Sequence, residues 1–395
     1  MFKAAIPIPF LRPRIPQISS YRTYRLKSTI STTPNIPDNS ASFWQTLRAS
    51  QLKDLAIAVG ASVSGTKSIV SQSITDVVEA SVKEQRRNGE MRILSIDMGI
   101  RNLAYAFVIV PAPESEKETS IPIFFDWKRL DVSETQRARN SEDDGDESPP
   151  SNHQLKSNPY SPSNLAPIAH NFVSSILSTH NPTHILIERQ RFRSGGSSAV
   201  LEWSLRVGVF EGMLHALFLG LAIERDIPLD IRSIDPGRVT RFWLSKYTGS
   251  PPENAAAVKK FKVEVAARIL ASCEKDMSLI NTAPNLHKDM IMPFLHKHQS
   301  RNTSPTTTTS TTRKSPNSRS PEKLDKIDDL ADSFLSVMTW LEWQKAAKIL
   351  QQHTQAQKQP RNDFDNTTVE SIAKSTGEIQ ELLARQRQFL ASILT

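Results

Sequence analysis

Residues 91–111 read MRILSIDMGIRNLAYAFVIVP, an apolar run ending on Asp97, a turn through Gly99, and a second apolar run. Each run has the length and side-chain pattern of a strand, and glycine lets the backbone turn behind Asp97 without a Cβ clash. A third run, IPIFFDWKRL at 121–130, alternates, so the three predict an antiparallel meander. Helical spacing follows at 164–179 (Leu165, Ile168, Phe172, Ile176), then Asn181-Pro182 and the buried-strand run HILIE at 184–188. A long helix is expected at about 198–225, a short strand at 229–234, and helices at 236–246, 254–273 and 325–350.

The order βββαβαβα is that of an RNase H-like α/β fold, a mixed five-stranded sheet flanked by helices. That domain would span 91–350. Two insertions interrupt it, at about 131–163 with the carboxylates Glu142, Asp143, Asp144, Asp146 and Glu147, and at about 281–323, where residues 301–323 are largely Ser, Thr, Pro and basic. Ahead of it, 43–82 carries one amphipathic face (Leu47, Leu52, Leu55, Ala56), Gly60 to stop the helix, and a second helix opening at Ser64-Gly65-Thr66-Lys67. The pattern resembles a SAP-type helix–extended–helix module, in which Lys53, Thr66 and Lys67 would meet phosphates. A two-helix cap packed on the larger domain is the other reading. Residues 351–395 read as a polar tail with a possible last helix at 376–393.

The chain has 395 residues, 49 Lys+Arg against 41 Asp+Glu, and one cysteine, Cys273. One thiol excludes a disulfide framework and a cysteine-rich zinc site, so a metal must be held by oxygen or histidine. No run of about 18 consecutive apolar residues occurs, and the chain reads as soluble with no membrane partner. Residues 1–37 contain no Asp or Glu but carry Lys3, Arg12, Arg14, Arg22, Arg25 and Lys27, the composition of a mitochondrial presequence and an address in the matrix. Without them the charged residues number 43 against 41, so most of the net charge of +8 belongs to that segment.

Candidate catalytic acids stand where elements would present them. Asp97 and Glu188 end two strands expected to be neighbours, and Asp328, Asp329 and Asp332 share a helical face at i,i+3 and i,i+4. Clustered carboxylates repel and raise one another's pKa unless a cation sits among them, and Mg²⁺ prefers oxygen ligands and phosphate oxygens. Two such ions about 4 Å apart can activate water and stabilise the leaving oxygen of phosphodiester hydrolysis. Taken singly, each acid is as readily a turn residue, an ion-pair partner or a solvated helix face. The basic residues around Glu188 add weight to a nucleic-acid substrate. Residues 189–262 carry twelve Lys+Arg against seven Asp+Glu. Among them Arg189, Arg191, Arg193, Ser194, Arg238, Lys259 and Lys260 are candidate backbone contacts, and Phe192 can stack or wedge. An actin-like ATPase also opens on strand–Asp-x-Gly–hairpin, but it needs a later glycine-rich phosphate loop, and no glycine cluster follows 249.

The segments ILSIDMGIRNLAYAFV, ILIERQRFRSGGSSAVLEWSLRVGVFEGMLHAL, IDPGRVTRFWL and KIDDLADSFLSVMTWLEW resemble the fungal mitochondrial Holliday-junction resolvases, cruciform-cutting endonucleases related to bacterial RuvC. The resemblance implies a homodimer that binds four-way junction DNA and makes paired symmetric nicks in mitochondrial DNA recombination or segregation. Each protomer would supply a Mg²⁺ site with Mn²⁺ able to substitute and no small-molecule cofactor. Asp97 and Glu188 match the first two family acids. DDLAD offers Asp328 with Asp332 or Asp329 with Asp332, and RuvC-type spacing favours the latter. The long helix at 198–225 would by resemblance contribute dimer contacts. A non-catalytic junction-binding protein and an RNase H-like nuclease acting on RNA or RNA–DNA hybrids are the alternatives.

Overall fold

A computed structural model describes the chain between residues 44 and 393, except for 45–46, 86–88, 113–119, 133–157, 159, 191–201, 246, 248–250, 274–278, 304–325, 359–376 and isolated positions after 377. The expected presequence, the acidic stretch 142–147 and the Thr-rich stretch therefore lie outside the described residues. Residues 39–395 form one unit.

The sheet is built from β1 (Met91–Asp97), β2 (Leu103–Val110), β3 (Ile123–Leu130), β4 (His184–Glu188), β5 (Asp230–Ile234) and β6 (Asn281–Thr282), in the order β5-β4-β1-β2-β3-β6. β1, β2 and β3 pair antiparallel, while β4 joins β1, β5 joins β4 and β6 joins β3, all parallel. The RNase H-like mixed sheet is thus present with six strands rather than the expected five. The added strand is two residues long, too short to show a period, and it lies where an insertion was expected. After it, Pro284–Leu286, a π-helical turn at His287–Ile291 and helix Met292–Thr303 bury Ile291, Phe294 and Leu295 in the core.

Strand alternation sends side chains to two cores. On one face Ile93, Ala104, Ala106, Val108, Phe124 and Trp127 meet α5 (Pro236–Leu244), α6 (Ala255–Ser272) and the long α8 (Ile327–Lys358). On the other, Leu94, Ile96, Tyr105 and Phe107 meet α3 (Pro162–His180) and α4 (Glu202–Glu224). α7 is the helix Met292–Thr303. Local chemistry sets the ends of these helices. Asp235 caps α5 by accepting from Gly237 N–H at 2.7 Å, Asn254 caps α6 from Ala257 N–H at 2.9 Å, and Asn181 closes α3 in the left-handed region at φ 43°.

α1 (Ala49–Ala58) and α2 (Lys67–Gln85) form a third core with the far half of α8, where Leu52, Leu55, Val70 and Ile74 meet Ala346 and Leu350. α1 ends in a Schellman motif, with Ala61 N–H on Ala56 O at 2.7 Å, Gly60 N–H on Ile57 O at 3.3 Å and Gly60 at φ 72°. The turn is clamped from the larger domain, since Trp343 Nε1 donates to Ile57 O at 3.1 Å and Arg238 Nη1 donates to Gly60 O at 2.9 Å. The expected polar tail contributes as well. Leu382, Leu383 and Ile393 are buried, and Gln386 Nε2 donates to Ala58 O at 3.1 Å.

A Cβ at position 60 would stand 2.4 Å from the Trp343 ring, on a backbone conformation that L residues avoid. Gly60→Ala is therefore expected to lower stability by about 2–4 kcal/mol, measured by urea denaturation, whereas Gly220→Ala, where nothing lies within 4 Å and the backbone is helical, should raise it by up to about 1 kcal/mol.

Candidate active site

Asp97 ends β1 and Glu188 ends β4. The strands are parallel neighbours with Ile96 opposite Ile187, so both carboxylates leave the same sheet edge. Each carboxylate lies close enough to feel the other. Two further acids come from the first turns of α8, whose position is set by Trp127 on β3. The indole Nε1 donates to Leu330 O at 3.0 Å and reaches Ser333 Oγ at 3.4 Å, gripping the helix beside Asp329 and Asp332. The small side chains Ala104 and Ala106 of β2, fully buried in the same core, leave room for that helix to lie close.

The electrostatics follow from this crowding. Burial, then the charges of Glu188, Asp332 and Asp329, hold Asp97 well above the usual carboxylate range. Burial and then Asp332 push Glu188 up to about 7, and burial and then Asp328 push Asp329 up to about 6. Burial raises Asp332 too, against the pull of Lys262. The positive end of α8 lies under Asp328 and Asp329 and favours their charged forms. Asp329 Oδ2 is buried and accepts no hydrogen bond from the described residues.

Lys262 is the counter-charge that the motif reading leaves without a role. It rises from α6 with its Nζ 2.6 Å from Asp332 Oδ1 and its side chain only 13% exposed. Burial alone would favour the neutral amine, but the charges of Asp332, Glu188 and Asp97 outweigh it and raise the lysine pKa. A signal existed in the sequence. Lys259 and Lys262, three apart on one helix, match Asp328 and Asp332, four apart on another, as two parallel ion pairs. Lys259 Nζ indeed lies 2.8 Å from Asp328 Oδ2 and, against burial, holds that carboxyl below its ordinary range. The structure therefore brings Asp97, Glu188, Asp329 and Asp332 together and sets Asp328 to their flank.

The donor set is wholly carboxylate, which suits a hard divalent cation. As placed, no three of the described His, Cys, Asp or Glu side chains close around a single ion. Behind the site, Gln190 N–H donates to Glu211 Oε2 at 3.0 Å and its side-chain amide to Met98 O at 3.5 Å, tying the backbone after Glu188 to α4 and to the turn after Asp97.

The candidate DNA contacts divide. Lys53, Thr66 and Lys67 are exposed at the module surface, with Thr66 Oγ1 accepting from Ile69 N–H at 3.4 Å at the start of α2. Arg189 is 55% exposed and pairs with Asp235 at 2.9 Å. Lys260 is exposed, Lys259 is engaged by Asp328, and half-buried Arg238 is engaged by the Gly60 carbonyl. Arg191, Phe192, Arg193 and Ser194 lie outside the described residues.

A model of the family described as mitochondrial resolvase Ydc2 / RNA splicing MRS1 matches residues 93–350. The mitochondrial cruciform cutting endonuclease 1 of Schizosaccharomyces pombe is 28% identical over 204 residues, 51% of this chain and 68% of that protein. Its namesake in Saccharomyces cerevisiae is 25% identical over 211 residues, 50% of this chain and 54% of that protein. Among solved structures, the yeast mitochondrial Holliday junction resolvase Ydc2 aligns with a TM-score of 0.46 and 22% identity over 78% of this chain and 98% of that one.

Raised carboxylate pKa values mean that the folded protein holds protons the unfolded chain releases. The stability they contribute is present below the ordinary values of 4.5 for Glu188 and 3.8 for Asp329 and is lost as pH rises through about 7 and about 6. In chelator, the melting temperature is therefore expected to fall from about pH 4.5 to about pH 7. Lys262→Met should steepen that fall, and a divalent cation should flatten it, as read by thermal denaturation across pH.

Proposed function

The chain belongs to the family described as mitochondrial resolvase Ydc2 / RNA splicing MRS1, and from that premise we propose that it is a mitochondrial endonuclease that resolves four-way DNA junctions by paired nicks. The observation that carries this reading is the meeting of Asp97, Glu188, Asp329 and Asp332 at one sheet edge beside a buried ammonium. The names of the two yeast relatives and the acid-free first 37 residues support the activity and the compartment.

Mg²⁺, with Mn²⁺ as a substitute, is the cation assigned to these four carboxylates, and when bound it would activate the attacking water and stabilise the leaving 3′ oxygen. The chain's own residues prepare that chemistry. Asp97 and Glu188 both hold their protons more tightly than free carboxyls, and those protons must leave before both can act as ligands, so metal binding releases protons and strengthens with pH. Lys262 holds Asp332 in place and offsets part of the negative charge that would repel a phosphate. Exposed Arg189, directly after Glu188, brings a guanidinium to the edge where the scissile phosphate would lie.

Paired nicks need two such sites, and α4 supplies a surface for pairing. By length and composition this helix is apolar enough to cross a membrane, yet it buries Phe210, Leu214 and Phe218 in the core. Its other side leaves Leu205 (54%), Val209 (38%) and Ile223 (48%) exposed, beside a cleft of about 570 Å³ whose lining includes Gly208 and Gly212. An apolar helix face with small residues at its centre fits a second copy of the same helix, and we assign the homodimer to it.

The mature protein should nick a synthetic four-way junction in Mg²⁺ or Mn²⁺ in preference to duplex, flap and RNA–DNA hybrid. Preference for the hybrid would assign an RNase H-like nuclease instead, and binding without cleavage a junction-binding protein. Asp97→Asn is expected to lose at least about a hundredfold in nicking rate while its junction affinity in chelator stays within about threefold, because it removes a ligand and leaves the basic surface. Val209→Glu should sediment as a monomer at concentrations where the parent protein is a dimer, and should lose the coupling of the two nicks.

A further inference from the structure

Four residues outside the carboxylate cluster meet at the same sheet edge, on its opposite face. Arg101 lies in the β1–β2 turn, four residues after Asp97. Tyr160 immediately precedes α3, and Trp203 and Arg206 lie in the first turns of α4. α3 runs back towards the start of β4 and α4 follows its end, so this topology brings the start of both helices to the carboxylate edge, on the face away from α8.

Their contacts build a platform. Arg101 Nε donates to Tyr160 Oη at 2.7 Å, and its guanidinium carbon lies 5.6 Å from the tyrosine ring centre. The Arg206 guanidinium carbon lies at the same 5.6 Å, tied by Glu202 and by Asn158 Oδ1 at 3.2 Å. Trp203 meets the ring edge to face, with centroids 5.1 Å apart and planes at 81°. Tyr160 is thus enclosed and acts as the scaffold. The outward groups are the Trp203 indole, 43% exposed, and the Arg101 terminal nitrogens, which have no partner among the described residues. The other five tryptophans, 44, 127, 243, 340 and 343, are all buried.

A fixed, exposed indole beside a cation with free N–H groups is the chemistry that holds one unstacked nucleotide, base on the ring and phosphate on the guanidinium. We infer that Trp203 and Arg101 form a second DNA-binding site, which receives a nucleotide unstacked at the branch point while the adjoining phosphate lies at the carboxylates. The inference rests on the junction-cleaving reading. It adds a residue pair that discriminates branched from linear DNA, since only a branch offers an unstacked base cheaply.

Because Trp203 is the exposed tryptophan, the protein's own emission reports the site. In chelator, a four-way junction is expected to shield tryptophan emission from iodide, whereas a linear duplex of equal length leaves it quenchable, and Trp203→Phe removes the iodide-sensitive part. Trp203→Ala should weaken junction binding about tenfold with duplex binding unchanged, and Trp203→Phe should restore most of it. Arg101→Gln should reduce the salt dependence of junction binding by about one phosphate contact. Phe125→Ala, at an aromatic 50% exposed on β3, should change neither. Unaltered iodide quenching on the junction, equal losses on junction and duplex, or a Trp203→Ala protein that binds the junction like the parent would each overturn the inference. If the parent protein nicks a junction while any of these is seen, only the second site falls; if it neither binds nor nicks a junction, the functional reading falls with it.

Discussion

Four carboxylates held together out of water repel one another, and the rest of the molecule is arranged to keep them there. Unopposed, Asp97, Glu188, Asp329 and Asp332 would push their elements apart or take up protons, and the raised values of Glu188 and Asp329 show the second response. Two devices limit the cost. Lys262 brings a positive charge 2.6 Å from Asp332, and the start of α8 presents its positive end. The same arrangement keeps affinity for a cation in reserve, because a divalent ion relieves all of the repulsion at once.

Packing resists what electrostatics would disperse. α8 is held along its length by indole N–H groups, Trp127 to Leu330 O near its start, Trp243 to Thr339 Oγ1 at 2.8 Å in its middle and, from its own Trp343, to Ile57 O in α1. The first two bonds are buried, where an unpaired N–H would be costly, and the third is partly buried, so together they fix rotation as well as depth. A helix free to turn by one residue about its axis, some 100°, would exchange Asp329 for Asp328.

That rotation explains what the sequence could and could not tell. Strand ends are legible because the period of two and the parallel pairing of β1 with β4 leave no choice about where Asp97 and Glu188 emerge. The choice among Asp328, Asp329 and Asp332 depends on helix phase, which the tryptophans set from distant parts of the chain. Lys262 and Arg238 were hidden for the same reason. Both read as members of a basic run, and only tertiary packing turns one toward Asp332 and the other toward a turn carbonyl at Gly60. The tail misled through composition. Its Gln-rich polarity hid Leu382 and Leu383, which join the core of α1, α2 and the far half of α8, and Ile393, which joins the larger core beneath the sheet.

α8 also connects two regions that the chain separates. Its first turns carry Asp329 and Asp332, and its far half is the seat of α1 and α2, clamped through Trp343, Arg238 and Gln386. A helix of 32 residues is about 48 Å long, so it acts as a lever. A tilt of about 2° about its centre moves its first turn by close to 1 Å, the scale of misplacement that costs an enzyme about a hundredfold in rate. A load on the small N-terminal module strong enough to tilt α8 would therefore displace the carboxylates as well.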